Sequence, residues 1–100
     1  MIRELWIESE NCETSSETND NSDIIVTLEN GNRFIATFFT YENIQKLRLK
    51  NKKTGECMNG KYFWASDMII VEKINKIEVE KLIKHLIDQN EFELIFKKIE

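Results

Sequence analysis

The side chains best suited to chemistry are few in this sequence, and they are not grouped in catalytic patterns. His85 is the only histidine, and it lies beside the apolar helical stripe around it, so we expect it to be exposed. Histidine-based catalytic and metal sites need a further ligand or an acid–base partner, which the sequence does not supply. Cys12 and Cys57 are far apart and outside any Cys-x-x-Cys pair, which predicts free thiols in a reducing cytoplasm.

Motifs that bind ions or nucleotides are also missing. The oxygen-rich run 19–23 lacks the glycine and the closing glutamate of a calcium loop. The three glycines are isolated, so none of them belongs to a phosphate-binding loop. We therefore predict a protein that is not an enzyme and that has no cofactor and no metal.

The charges divide the chain into three parts. Overall there are 14 basic and 18 acidic residues, for a net charge of −4 and a pI of about 5.1. Residues 1–31 carry eight acids and one base (−7), residues 32–63 carry seven bases and two acids (+5), and residues 64–100 carry six bases and eight acids (−2). An acidic front and a basic middle allow two different kinds of partner.

The acidic front contains a long polar stretch without a base, from Glu8 to Asp23. It has no large apolar residue, which predicts a solvated loop at 9–22 within a single domain that spans 1–100. The loop either only keeps the protein in solution or forms a negative surface that attracts a basic partner. The sequence leaves both interpretations open.

Trp6 bears on the choice because strand alternation places it on the same side as Glu4 and Glu8. A tryptophan among acids is typical of an interface anchor, although it could also be tucked beneath the long loop. The candidate partner-binding residues are Trp6, Glu8, Glu10, Glu13, Glu17, Asp20, Asp23, Trp64 and Asp67.

The basic middle suggests an alternative partner. The run from Lys46 to Lys53 could contact phosphates, and Tyr62, Phe63 and Trp64 follow it as possible stacking residues. Two features argue against nucleic acid as the partner: the acidic pI, and the preference of cations for the C-terminal end of a helix.

The elements that must position these residues begin with a strand at 2–8 and a hairpin around Asn30 and Gly31. A three-residue loop with a left-handed Gly31 would place Val26 opposite Phe34 and Ile24 opposite Ala36, so that one face becomes apolar. The opposite face is less apolar and needs a helix or a partner to cover it. It consists of Asp23, Ile25, Thr27, Arg33, Ile35, Thr37 and Phe39.

The remaining patterns predict helices and further strands. Thr40 can cap a helix over 41–51, and 61–72 is typical of two short strands or one bent strand. The pair Asn75/Glu78 predicts a helix over 76–89, and the same signature at Asn90 predicts another over 91–99. The order β-β-β-α-β-β-α-α indicates an α+β fold with a largely antiparallel sheet of about five strands. No apolar run of about 18 residues and no secretion signal occur, so we expect a cytoplasmic protein without a membrane span.

Three segments resemble a group of small bacterial proteins. RFIATFFTYENI (33–44), GKYFWASDMIIVE (60–72) and EFELIF (91–96) are similar to immunity proteins, the cytoplasmic antidotes encoded beside polymorphic or contact-dependent growth inhibition toxins. The resemblance covers roughly 23–98 and includes no catalytic motif. It implies that the chain binds a cognate toxin domain, often a basic nuclease, and blocks its active site or substrate path. The alternative is a small cytoplasmic nucleic-acid-associated regulator that uses 46–53.

Overall fold

A five-stranded sheet forms the centre of the protein in a computed structural model, which describes residues 2–11 and 17–99. The predicted α+β class is confirmed. The strands are β1 (Ile2–Ile7), β2 (Asn21–Leu28), β3 (Arg33–Thr40), β4 (Met68–Val71) and β5 (Lys97–Lys98). The helices are α1 (Tyr41–Thr54), α3 (Lys76–Asp88) and α4 (Phe92–Ile95), and a 3-10 turn covers Glu8–Asn11. The short element α2 (Glu56–Gly60) is a left-handed turn, since Cys57, Met58 and Asn59 have φ angles of 52°, 51° and 61°. Across the described residues, no helix is long and apolar enough to cross a membrane.

The sheet order is β1-β2-β3, and two short strands share the far edge of β3. β4 runs parallel to the second half of β3, and β5 runs antiparallel to its first half. A parallel pair needs a crossover connection, which the segment containing α1 and α2 provides. The sheet is therefore largely antiparallel, as predicted, except at the β3–β4 pair.

The β2–β3 hairpin has the predicted register. Val26 pairs with Phe34, and Ile24 pairs with Ala36. Gly31 has a φ of 88°, and its N–H donates to the carbonyl of Leu28 at 2.9 Å, which closes the turn. The left-handed glycine thus sets which side chains share a face.

One side of the sheet, the covered face, packs against α3 and α4. The rings of Phe34 and Phe92 meet edge to face at 5.0 Å, and those of Phe38 and Phe96 at 5.9 Å. Val79, Ile83 and Leu86 of α3 are buried in the same core, together with alternate residues of the hairpin. The core consists of Ile7, Ile24, Val26, Phe34, Ala36, Phe38, Ile74, Val79, Ile83, Leu86, Phe92 and Phe96.

The two long helices begin at the caps that the sequence predicts. The hydroxyl of Thr40 accepts the N–H of Asn43 at 3.1 Å, and the Oδ1 of Asn75 accepts the N–H of Glu78 at 2.8 Å. α1 is longer than predicted because it continues to Thr54, where a left-handed Gly55 ends it. A side-chain acceptor at the first turn satisfies one of the otherwise unpaired N–H groups.

The strand prediction for 61–72 is wrong in its first half. Only Met68–Val71 forms a strand, because the far edge of β3 is open to β4 at Thr37–Thr40 alone. The preceding residues serve packing instead, with the ring of Phe63 edge-on to that of Phe39 at 5.2 Å.

The helix prediction for 91–99 is also wrong beyond Ile95. Phe96 is extended and buried, and the following residues form β5 against Ile35 of β3. Asn90 does not cap α4. It has a φ of 58° and follows α3, where the N–H of Glu91 donates to the carbonyl of Leu86 at 2.9 Å. Asparagine tolerates this left-handed position, so the same residue type that suggested a start marks an end.

Candidate protein-binding surface

The side of the sheet opposite α3 and α4 is covered only in part. The ring of Phe63 covers its end near Phe39. α1 lies beside this end, where Ile44 of α1, Phe63 and Ile70 of β4 line one groove. The rest, here named the open face, carries an aromatic and aliphatic centre between threonines. It consists of Trp6, Ile25, Thr27, Ile35 and Thr37.

Trp6 is the central residue of the open face. It lies opposite Ile25 in the β1–β2 register, and Ile25 lies opposite Ile35 in the hairpin. The tryptophan is 41% exposed, and the two isoleucines are half-buried. Trp6 is therefore not a core residue, and the three side chains form an apolar row that crosses the sheet.

Three carboxylates border this row, and we name them the border carboxylates: Glu4, Glu8 and Asp23. Glu8 Oε1 accepts the backbone N–H of Asp23 at 3.5 Å, which brings the two residues together at one end of the row. The hydroxyl of Thr37 donates to Asp23 Oδ1 at 3.0 Å and so orients that carboxylate. Glu4 lies opposite Thr27 on the other side of the tryptophan.

A shallow depression of about 390 Å³ lies beside Trp6 on the open face. Arg3 and Arg33 line it together with Glu4, so it is polar on its rim and apolar at Ile25. Such a mixture of an aromatic anchor, aliphatic floor and charged rim is the pattern found in protein-binding surfaces.

The structure places Glu17 and Asp20 away from the open face. Glu17 lies at the start of α3, where its carbonyl accepts the N–H of Ile74 at 2.8 Å and its carboxylate accepts Nδ2 of Asn75 at 3.0 Å. The backbone carbonyl of Asp20 accepts the N–H of Thr40 at 3.0 Å, and the N–H of Asp20 donates to the hydroxyl of Thr40 at 3.1 Å. Both residues hold the chain against the ends of β3 and α3. Glu13 and the side chain of Glu10 lie outside the described residues.

The segment predicted as a loop at 9–22 therefore differs from that expectation at both ends. The 3-10 turn Glu8–Asn11 begins it, and β2 already starts at Asn21. Buried Ser22 accepts the N–H of Ser9 through its hydroxyl at 2.9 Å, which fixes the turn to the sheet.

Trp64 and Asp67 precede β4, which lies at the edge of the sheet opposite β1. The carbonyl of Asp67 accepts the N–H of Thr37 at 2.9 Å, so this residue borders β3. Trp64 is 70% exposed and follows Phe63, which is packed on Phe39. Neither residue belongs to the apolar row around Trp6.

The basic run is displayed along α1. Lys46, Arg48, Lys50, Lys52 and Lys53 are all exposed. Asn51 is the one buried residue of that helix, and only Lys52 and Lys53 lie in its last turn. The helix dipole therefore accounts for the position of those two cations and not for the other three.

The remaining candidates for chemistry stand alone. His85 is exposed in the last turn of α3, and Cys57 is half-buried in α2. Within residues 2–11 and 17–99, no group of three or more His, Cys, Asp or Glu side chains could hold a metal ion.

Glu4 and Ile35 are not among the candidate binding residues that the sequence predicts. The sequence places Glu4 on the same side as Trp6, and Ile35 on a face that a helix or a partner covers. Their signal is the strand alternation combined with the hairpin register, which aligns them with Trp6 across the sheet.

Comparison of the chain with protein-family models, with characterised proteins and with solved structures finds no match.

Proposed function

We propose that this chain is an immunity protein that binds a cognate bacterial toxin domain in the cytoplasm and blocks its active site or substrate path. The observation that carries the proposal is the open face: a partly exposed Trp6 in an apolar row, bordered by carboxylates. The protein acts by occupying a surface and performs no catalysis.

The two parts of the open face have different physical roles. Trp6 is the anchor, because burial of an aromatic side chain at the centre of an interface typically contributes about 2 kcal/mol or more. The three border carboxylates outnumber Arg3 and Arg33 beside Trp6, so they attract a basic partner and form charge-assisted hydrogen bonds to its Lys or Arg side chains. A nuclease presents such cations where it binds phosphates, which makes it the partner that best fits the charge.

The test uses the toxin domain that this proposal expects the neighbouring reading frame to encode, and it measures association and dissociation rates. Trp6→Ala should accelerate dissociation about 30-fold, which corresponds to about 2 kcal/mol, and change association little. Changing Glu4, Glu8 and Asp23 to Gln, Gln and Asn should slow association at low salt and weaken its salt dependence.

A matched control removes the same charge elsewhere. The exposed acids at the far side of the molecule, Asp88, Glu91 and Glu93, are changed to Asn, Gln and Gln. This variant should associate nearly as fast as the native chain. Equal slowing by both triple variants would mean that net charge alone matters, and an unchanged dissociation rate in Trp6→Ala would exclude the open face as the interface.

A second candidate function is supported by the display of α1. Three of its exposed cations, Lys46, Arg48 and Lys50, precede the last turn, and the exposed Tyr62 and Trp64 follow the helix in the sequence. These groups could bind RNA phosphates and bases. The immunity proposal expects no retention of labelled tRNA at about 150 mM salt. Retention that is lost when Lys50, Lys52 and Lys53 become Gln would favour a nucleic-acid-associated regulator.

A further inference from the structure

The outer edge of β4 is a second surface with unused bonding capacity. β4 pairs with β3 on one side, and no strand among the described residues pairs with its other side. The N–H of Thr37 donates to the carbonyl of Asp67, which sets the phase of the parallel ladder. In that phase the N–H and C=O groups of Met68 and Ile70 point away from β3.

The two edges of the sheet differ in how they are protected. β1, at the opposite edge, has a register irregularity between Ile2 and Glu4 and exposed charges at Arg3 and Glu4. Bulges and charges of this kind prevent an edge from pairing with another strand. β4 has neither, since Met68–Val71 is entirely apolar and every residue in it is partly exposed.

A depression lies on each side of the sheet beside β4. One, of about 420 Å³, lies between β4 and α1 and is lined by Ile44, Tyr62 and Phe63. The other, of about 360 Å³, lies towards α3 and is lined by Val79 and Leu82. Side chains of an added strand alternate between the two sides of a sheet, so neighbouring residues of that strand would enter different depressions.

Charge distinguishes the first depression from the second. Arg48 and Lys61, both exposed, line the side towards α1. Gly60, which precedes Lys61, packs tightly against α1, because a Cβ there would lie 2.6 Å from the carbonyl oxygen of Arg48. This packing keeps Lys61 close to Arg48. A carboxylate on the added strand would therefore find two cations beside an aromatic wall.

We propose that β4 is a strand-addition site for an extended segment of another polypeptide, with apolar side chains at alternate positions and an Asp or Glu facing Arg48 and Lys61. The backbone groups of Met68 and Ile70 supply the hydrogen bonds, and the two depressions supply the selectivity. A second copy fits less well, because its Met68–Val71 is entirely apolar and supplies no carboxylate for Arg48 and Lys61.

The experiment uses a library of random peptides displayed on phage, selected on the full chain. Enriched peptides should alternate apolar residues and contain an acid, and their binding should slow amide hydrogen exchange at Met68 and Ile70. Ile70→Pro removes an outward N–H without removing a bond to β3, so it should weaken binding at least tenfold. N-methylation of alternate peptide amides should do the same.

A pair of surface variants keeps the test decisive if Ile70→Pro lowers stability. Reversal of Arg48 and Lys61 to Glu should weaken acidic peptides at least tenfold, whereas reversal of Lys46 and Lys50 on the same helix should have a smaller effect. Failure to enrich peptides, equal binding to Ile70→Pro, or protection confined to other strands would overturn the proposal. Concentration-dependent dimers that Ile70→Pro dissociates would also overturn it, in favour of a second copy. None of these measurements uses the toxin, so failure of the β4 proposal would not count against the open face as the toxin-binding surface.

Discussion

Replacement of two glycines by alanine separates backbone strain from steric crowding in this fold. Gly31 and Gly60 have similar positive φ angles, 88° and 79°, but different surroundings. A Cβ on Gly31 meets nothing within 4 Å, whereas a Cβ on Gly60 lies 2.6 Å from the carbonyl oxygen of Arg48. The first substitution therefore adds strain alone, and the second adds strain and a clash with backbone that cannot rotate away.

The expected costs follow from these two contributions. A left-handed alanine costs about 1–2 kcal/mol, so Gly31→Ala should lower the free energy of unfolding by that amount. Crowding in a packed site adds about 1–3 kcal/mol, so Gly60→Ala should cost about 2–5 kcal/mol in total. For a domain of this length the first loss corresponds to a fall in Tm of about 5–10 °C.

Urea denaturation of the native chain and both variants measures the difference. Gly31→Asn serves as a control, because asparagine adopts the left-handed region more readily than alanine and should be the milder change. Equal losses for the two alanine variants would refute the close packing of Gly60 on α1. A harmless Gly31→Ala would refute the left-handed hairpin turn and with it the assignment of the open face.

Three further changes test other parts of the structure by the same denaturation measurement. Thr40→Ala should cost about 1–3 kcal/mol, because the hydroxyl accepts the N–H groups of both Asp20 and Asn43, and Thr40→Ser should recover most of that loss; equal losses would show that the hydroxyl is not the cap. Asn90→Gly should stabilise the chain by about 0.5–1 kcal/mol, since the position is left-handed, and a lower stability would contradict that conformation. Phe38→Ala should cost about 3–5 kcal/mol and Trp6→Ala clearly less, because Phe38 is fully buried and Trp6 is not; similar losses would make Trp6 a core residue.

Local signals predicted much of the fold. The hairpin register follows from Gly31 and from the alternation of apolar residues, and the start of α3 follows from Asn75 and Glu78. Both depend on residues close in sequence, and their chemistry is the same in any tertiary context.

The errors arose where distant residues decide the conformation. Residues 97–98 form a strand because β4 leaves half of the β3 edge open, and Phe96 leaves the helical conformation to fill the core beside Phe38. No local pattern contains that information, since it depends on which edge remains unpaired.

The candidate surface shows the same division. Strand alternation predicts that Trp6 lies beside its acidic neighbours. The position of Glu17, by contrast, depends on its contact with Asn75, 58 positions further along the chain. Glu4 and Glu8 flank Trp6, whereas Glu17 and Asp20 lie at the ends of α3 and β3, and the acidic binding surface stays a prediction. Exposure of the apolar row depends on where α1 lies, which periodicity alone does not determine.

Tryptophan fluorescence in the complex tests the central proposal most directly, because the chain has only two tryptophans and the structure separates them. Trp64→Phe leaves Trp6 as the only tryptophan of the chain, and Trp6→Phe leaves Trp64. The partner for this measurement is the toxin domain that the proposal predicts in the neighbouring reading frame, with its own tryptophans replaced by phenylalanine. If the open face is the interface, toxin binding shifts the emission of Trp6 to shorter wavelength and shields it from acrylamide, while Trp64 stays accessible. A Trp6 that remains as accessible in the complex as in the free chain would contradict the proposed interface.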